Sequence, residues 1–214
     1  MCPPSDLAEK TTTQPILDTS SIVPPTAISE AAYAYASKLL HPSVLNHSVR
    51  VYLYVKALAE HKSSRYSSDP VQHDLLFTAC LFHDIGTTEN HNGPQRFEVE
   101  GADAAIQHLS HFSVSATDAY EVWTAIAIGE LSKIVRIAVM TDFGRKSSEW
   151  DMLAPLREKL EAQFERAEIE KVLGDAVVEQ TMRRPEKAPK VSWPNAMYTA
   201  SLAEPEWQGV NKAF

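Results

Sequence analysis

The chain has 214 residues, of which 44% are hydrophobic, and a formal net charge of −8 at pH 7, which together favour one domain with one sizeable core. The negative charge argues against a general nucleic-acid binder, and the lack of a long apolar stretch argues against a membrane span. Seven glycines without a G-x-G-x-x-G motif argue against a Rossmann fold, and two cysteines without a signal pattern favour a cytoplasmic location.

The N-terminal segment, residues 1–27, is predicted to be a disordered tail, because it is rich in proline, serine and threonine and carries little apolar surface. The folded domain is predicted to extend from residue 28 to residue 214. A first helix begins near Ser29 and ends before Pro42, which cannot continue it. A second helix is predicted over residues 43–61, and its apolar stripe contains His47 together with Val51 and Tyr54. A histidine on such a stripe is more often a hydrogen-bonded core residue than a metal ligand.

A run of apolar residues from Leu75 to Phe82, interrupted by Thr78 alone, predicts a segment that is buried on all sides. It is followed directly by His83 and Asp84. Adjacent helical residues point about 100° apart, so these two side chains can hold one cation from two directions. The alternative is a core histidine beside a carboxylate that caps the next turn. Gly86 is expected to adopt the left-handed conformation just past the helix end.

Two further helices are predicted over residues 99–112 and from residue 117 onwards, and Gly129 interrupts the second of them. The apolar stripe that follows Gly129 continues to Asp142 at helical spacing. A carboxylate that faces an apolar core is costly unless it is paired or bound to a metal, and no lysine or arginine shares that stripe. The alternative is that Asp142 caps the turn at Phe143. Because a continuous helix would carry Asp142 far from His83, we predict two helices, with Gly129 as the cap of the first.

The C-terminal third predicts two more helices, one that starts at Pro155 as its first residue and one over residues 168–182. The proline-rich end then keeps three aromatic residues, Trp193, Tyr198 and Trp207, which predict a segment wrapped on the domain. These elements together predict an all-α fold, a single helical bundle.

Four polar side chains are therefore predicted to point into one helical core: His47, His83, Asp84 and Asp142. Each buried polar group needs a partner, and a metal ion satisfies all four at once. Mixed imidazole and carboxylate ligation suits zinc, with iron and manganese as the alternatives.

The motifs around these residues resemble those of the HD-domain superfamily, and within it the fungal cyanamide hydratase branch. The resembling stretches are Asn46-His47, Leu81-Phe82-His83-Asp84-Ile85-Gly86-Thr87-Thr88, Phe97-Glu98-Val99-Glu100-Gly101 and Thr141-Asp142-Phe143. The resemblance implies that His47, His83, Asp84 and Asp142 bind the metal, and that Asp84 also shuttles the proton. It also implies that Thr87, Thr88 and Glu98 bind the substrate.

What the resemblance implies as activity is the hydration of cyanamide to urea by a metal-bound water. The substrate is expected to be a small, uncharged nitrile, because Thr87 stands where many phosphate-handling relatives carry a lysine. No nucleic-acid or membrane partner is expected, and the sequence leaves the oligomeric state open, with a homo-oligomer as one alternative. The alternative enzyme is a metal-dependent phosphohydrolase. A second alternative is a catalytically impaired scaffold, because a His-bearing loop expected near Gly129 is missing from the sequence.

Overall fold

The computed structural model describes residues 22–127 and 131–213, and within those ranges it contains α-helices and short 3-10 turns but no β-strand. This confirms the predicted all-α fold. Most of the predicted tail and the junction at Gly129 lie outside the described residues. The helices are α1 (Ala27–Leu39), α2 (Pro42–His61), α3 (Pro70–Phe82), α4 (Phe97–Ser110), α5 (Ala116–Ala127), α6 (Leu131–Asp142), α7 (Trp150–Gln163), α8 (Ile169–Arg183) and α9 (Trp193–Ala203). The 3-10 turns are Arg65–Ser67, Ile85–Thr87, Glu89–His91, Pro185–Lys187 and Gly209–Lys212.

Local capping signals explain where the first three helices begin. The Thr26 hydroxyl accepts a hydrogen bond from the Ser29 amide, and the Asp69 carboxylate accepts one from the Val71 amide. Each of these caps satisfies an amide group that the first helical turn leaves without an intrahelical partner. Pro42 ends α1 as predicted, and it is also the first residue of α2.

The buried helix α3 lies at the centre of the fold and packs against α1, α2, α4 and α5. Every residue from Leu75 to Phe82 is at most 1% exposed, which confirms the predicted burial on all sides. A helix that is apolar all round is stable in water only when its neighbours cover it. The segment that follows α3, beginning with His83, therefore starts in the interior of the domain.

The second helix, α2, packs against α3 on one side and α6 on the other. The stripe predicted for it is confirmed, because Val51, Tyr54 and Val55 are fully buried. His47 lies on the same stripe, one turn before Val51, and is also fully buried. The packing of α2 between two helices therefore places the His47 ring in the interior, between the end of α3 and the end of α6.

Helices α5 and α6 are separate and pack against each other, which confirms the predicted reversal of the chain between them. The prediction that Gly129 caps α5 concerns a residue outside the described ranges and stays a prediction. Asp142 is the last residue of α6, and one of its carboxylate oxygens lies 2.7 Å from the His47 ring. The reversal therefore returns Asp142 to the interior near α2.

The prediction that Pro155 is the first residue of its helix is wrong, because α7 begins at Trp150 and continues through Pro155. The Leu153 amide donates to the Glu149 carbonyl oxygen at 3.1 Å, so the first turn forms before the proline. At its actual position Pro155 has no amide hydrogen to donate to the Asp151 carbonyl oxygen.

The C-terminal segment packs on α8 through both α9 and the Gly209–Lys212 turn. Met197 and Val210 are fully buried in this contact region. Gly209 has a φ of 74°, and a Cβ atom at this position would lie 1.8 Å from the Glu170 carbonyl oxygen, so no other residue fits there. No helix in the described part of the chain has both the length and the apolarity needed to cross a lipid bilayer.

Candidate metal centre

The turn that carries His83 and Asp84 is held against the start of α4 by two glycines. A Cβ atom at Gly86 would lie 2.0 Å from the Phe97 carbonyl oxygen, and one at Gly101 would lie 2.5 Å from the Phe82 carbonyl oxygen. The left-handed conformation predicted for Gly86 is wrong, because Gly144 and Gly209 are the glycines with positive φ in the described residues. Gly86 is instead required because two backbone segments approach each other closely.

Three ligand atoms converge at the end of α3. The Nε2 atom of His47 lies 3.2 Å from the Nε2 atom of His83 and 3.6 Å from the Oδ2 atom of Asp84. The Nε2 atom of His83 lies 3.2 Å from the same Asp84 oxygen. Within the described residues, these three side chains lie close enough together to bind one metal ion jointly.

The proton positions on the two rings follow from what their Nδ1 atoms face. The His83 Nδ1 atom lies 2.7 Å from the Cys80 carbonyl oxygen, and the His47 Nδ1 atom lies 2.7 Å from the Asp142 Oδ2 atom. Both of those oxygens are acceptors, so each Nδ1 atom carries the hydrogen and donates it. Each Nε2 atom therefore turns a lone pair towards the Asp84 carboxylate. Burial also lowers the pKa of His83, which keeps its ring in the neutral form that binds metals.

This set of donor atoms fits a divalent cation. Two lone pairs and a carboxylate oxygen repel each other at such distances unless a positive charge lies between them. The Asp84 Oδ2 atom is buried and has no hydrogen-bond partner among the described residues. Two ligands about 2.05 Å from a tetrahedral zinc ion are about 3.3 Å apart, close to the separations found here. His47, His83 and Asp84 could therefore hold one metal ion.

The structure places Asp142 on the opposite side of the His47 ring from these three atoms. Arg50 Nε donates to Asp142 Oδ1 at 2.7 Å, and Arg50 Nη2 donates to Asp142 Oδ2 at 2.7 Å. Arg166 Nη1 lies 3.5 Å from Asp142 Oδ2. Protein donors therefore occupy both carboxylate oxygens of Asp142. The ligand atoms of His47, His83 and Asp84, in contrast, face one another. Direct ligation by Asp142 stays a prediction.

Arg50 is the residue that sequence reasoning missed. Its side chain is fully buried, and its Nη1 atom also donates to the Phe164 carbonyl oxygen at 2.9 Å. Burial by itself raises the pKa of Asp142, but the hydrogen bonds from Arg50 and His47 outweigh this effect and lower it. The sequence signal that could have identified Arg50 was its spacing. Arg50 follows His47 by three residues and therefore lies on the same side of α2.

A cavity of about 770 Å³ opens beside the three ligand atoms. His47, His83, Asp84 and Glu98 line it, together with mostly apolar side chains from α5, α6 and the start of α9. The Glu98 Oε2 atom is buried without a hydrogen-bond partner among the described residues, and burial raises the pKa of this carboxyl group. The predicted substrate-binding residue Glu98 therefore shares a cavity with the candidate metal ligands.

Thr87 and Thr88, the other two predicted substrate-binding residues, are not among the residues that line this cavity. The Thr87 hydroxyl donates to the Asp84 carbonyl oxygen at 2.6 Å, and the Thr88 hydroxyl donates to the Ile85 carbonyl oxygen at 2.7 Å. Both hydroxyl groups thus stabilise the turn that carries the metal ligands. Their predicted contact with a substrate stays a prediction.

Comparison with a known protein family covers the part of the chain that carries this site. The model of the HD domain family matches residues 44–173, which include His47, His83, Asp84 and Asp142. Cyanamide hydratase DDI2 and cyanamide hydratase DDI3 of Saccharomyces cerevisiae are each 37% identical to this chain over 71 residues. The aligned part covers 32% of this chain and 30% of each relative, so the chain spans about a third of the length of these curated relatives. Because the family model matches more than half of its residues, the chain belongs to the HD domain family.

Proposed function

We propose that this protein is a metal-dependent hydratase that adds water across a C≡N bond, with the conversion of cyanamide to urea as its reaction. The observation that carries the proposal is the convergence of His47 Nε2, His83 Nε2 and Asp84 Oδ2 beside a cavity. The partial similarity to cyanamide hydratases supports the choice of substrate. Two imidazoles and a carboxylate suit zinc, with iron and manganese as alternatives.

A divalent cation bound at this cluster lowers the pKa of water towards neutrality and polarises a nitrile. The protein side chains supply the rest of the chemistry. The His83 side chain is 11% exposed, which makes the cluster reachable from the cavity. Glu98, with its unpartnered Oε2 atom, can accept a hydrogen bond from the amino group of cyanamide and so orient it.

Hydration also requires that water lose one proton and that the nitrile nitrogen gain one. We assign this transfer to the Asp84 carboxylate, in addition to its role in metal binding. The carboxylate takes a proton from water as the water oxygen bonds to the nitrile carbon, and then gives the proton to the nitrile nitrogen. The carboxylate is thereby regenerated, and the isourea product rearranges to urea.

Phosphoester hydrolysis is the second candidate function. The HD domain family supports it, and the wall of the same cavity also carries two cations, Arg136 and Lys146. The turn after Asp84 offers no such cation, since Gly86 is followed by Thr87, whose hydroxyl is bonded to the backbone. We therefore place nitrile hydration first.

A direct assay separates these two functions. Purified protein loaded with zinc, iron or manganese is incubated with cyanamide, and urea is measured. Parallel reactions contain nucleoside monophosphates, and phosphate is measured. Urea formation that is lost in His83→Ala supports the proposal, whereas phosphate release without urea supports the second candidate. Absence of both products from fully metal-loaded protein would indicate a catalytically impaired HD scaffold.

A further inference from the structure

We infer that this cavity also takes nitriles longer than cyanamide, with an apolar body and an anionic group at the far end, which Arg136 and Lys146 bind. This inference rests on the proposed function and specifies its substrate class. It depends on three features of the cavity: its size, the apolar character of its wall and the position of its charges.

The cavity is much larger than cyanamide. Its volume is about 770 Å³, within the range of roughly 300–1,000 Å³ that is usual for sites of drug-sized ligands. Cyanamide has three non-hydrogen atoms and fills about 90 Å³ if each atom is given the share of one water molecule. Cyanamide alone would therefore leave most of the cavity to water.

The wall between the metal ligands and the solvent is apolar. Ile126 of α5, three residues of α6 (Val135, Val139 and Met140), and Phe143 line it. Ile126, Val139 and Met140 are half-buried and therefore present apolar surface to the cavity, whereas Val135 and Phe143 are each only 5% exposed. Apolar surface of this kind gains free energy when a ligand displaces water from it, at roughly 25 cal/mol per Å². A hydrocarbon or aromatic body attached to the nitrile would displace this water and so make binding more favourable.

The charges of the cavity are separated along its depth. Asp84 and His47 are buried and the His83 side chain is 11% exposed, whereas Arg136 and Lys146 are exposed, which places the two cations nearer the solvent end of the cavity. Neither cation forms an ion pair or hydrogen bond with another residue in the part of the chain that the structure describes. Two unpaired cations at the mouth attract an anion there.

The position of these cations also distinguishes the inference from phosphoester hydrolysis. A phosphate that is to be hydrolysed must lie at the metal ligands, which are at the inner end of the cavity. Arg136 and Lys146 lie at the outer end, where they can bind a group that does not react. The expectation of an uncharged substrate came from Thr87, and the structure places Thr87 outside the cavity wall.

The test uses matched nitriles on the metal-loaded protein. Para-cyanobenzoate, benzonitrile and para-cyanobenzylamine have the same ring and nitrile and differ in charge. We measure their dissociation constants by calorimetry and their amide products by chromatography. We expect para-cyanobenzoate to bind about fivefold to tenfold more tightly than benzonitrile, as two exposed ion pairs allow, and para-cyanobenzylamine to bind more weakly than either. Added salt should reduce the difference.

The variants assign that preference to the two cations. Arg136→Gln/Lys146→Gln should remove the preference for para-cyanobenzoate over benzonitrile. The matched control, Lys133→Gln/Lys159→Gln, removes two exposed cations that do not line the cavity and should keep the preference. Equal binding of the three nitriles, or a preference that survives Arg136→Gln/Lys146→Gln, would overturn the inference.

The outcomes for this inference and for the proposed function are separable. Charge-dependent binding of para-cyanobenzoate without turnover of any nitrile would support the inferred ligand class and contradict the hydratase. Urea formation from cyanamide with no binding of the larger nitriles would support the hydratase and overturn the inference. An aryl phosphate that binds more tightly than para-cyanobenzoate and releases phosphate would contradict both.

Discussion

The Nδ1 atom of His47 lies 2.7 Å from the Oδ2 atom of Asp142, so this carboxylate fixes which nitrogen of the ring carries the hydrogen. Carboxylates that orient a metal-binding histidine in this way change metal affinity about 10–100-fold when they are removed. We expect Asp142→Asn to weaken metal binding by that factor, measured by competition with a chelator. The same change in a His47→Ala background should then have no further effect. An additional loss there would show that Asp142 binds the metal itself, as the sequence predicted.

His83→Ala should remove the bound metal, because it deletes one of three converging ligand atoms. We expect roughly one metal ion per chain in the parent protein and much less in the variant, measured by elemental analysis. At a metal concentration of about 100 times the dissociation constant, loss of the ion also removes about 2.7 kcal/mol of stability. His61→Ala, which changes an exposed histidine, is the control and should keep both metal and stability. Equal metal in parent and His83→Ala would contradict the site.

Arg50→Met should destabilise the protein by about 3–5 kcal/mol, because the buried Asp142 carboxylate loses the two hydrogen bonds that Arg50 donates to it. The measurement is chemical denaturation with the metal removed, so that metal binding does not contribute. Arg50→Met/Asp142→Leu should recover most of the loss, since it removes both charges. Arg136→Met, at an exposed position, is the control for loss of a positive charge. A stable Arg50→Met protein would mean that the ion pair contributes little.

The same ion pair should make stability depend on pH in acid. Folding lowers the pKa of Asp142 below its unfolded value, which is about 3.9. The contribution of Asp142 is therefore fully present above about pH 4 and is lost as the pH falls through the folded-state value. Metal-free parent protein should lose stability more steeply below about pH 4 than Arg50→Met/Asp142→Leu, as followed by thermal unfolding between pH 2 and 6. Parallel curves would contradict this assignment.

Gly86→Ala should disturb the turn that carries His83 and Asp84. Its Cβ atom would meet the Phe97 carbonyl oxygen at 2.0 Å, and backbone atoms cannot move aside without shifting α4. We expect a loss of about 1–3 kcal/mol, as for other cases of overpacking, together with weaker metal binding. Thr88→Ser keeps the hydroxyl group that bonds to Ile85 and is the control on the same turn. Unchanged metal affinity in Gly86→Ala would show that the turn tolerates the shift.

The sequence by itself determined those helices that the pattern of neighbouring residues specifies. The apolar run from Leu75 to Phe82 predicts a buried helix because every face of it is hydrophobic, and the stripe around Val51 predicts which side of α2 faces inward. These two patterns place His47 and His83 in the interior without knowledge of any other helix. The all-α fold followed for the same reason, since helical periodicity is a property of neighbouring residues.

Only the tertiary structure decided how the inward groups are paired. Arg50 and Asp142 are 92 residues apart, and their ion pair depends on the rotation of α2 and α6 about their axes, which no local pattern specifies. The role of Gly86 likewise depends on how closely α4 approaches the end of α3. Thr87 was assigned to a substrate from its place in a motif, but a nearby carbonyl oxygen takes its hydroxyl hydrogen. Periodicity thus indicates that a side chain points inward, and packing between distant helices determines what it meets there.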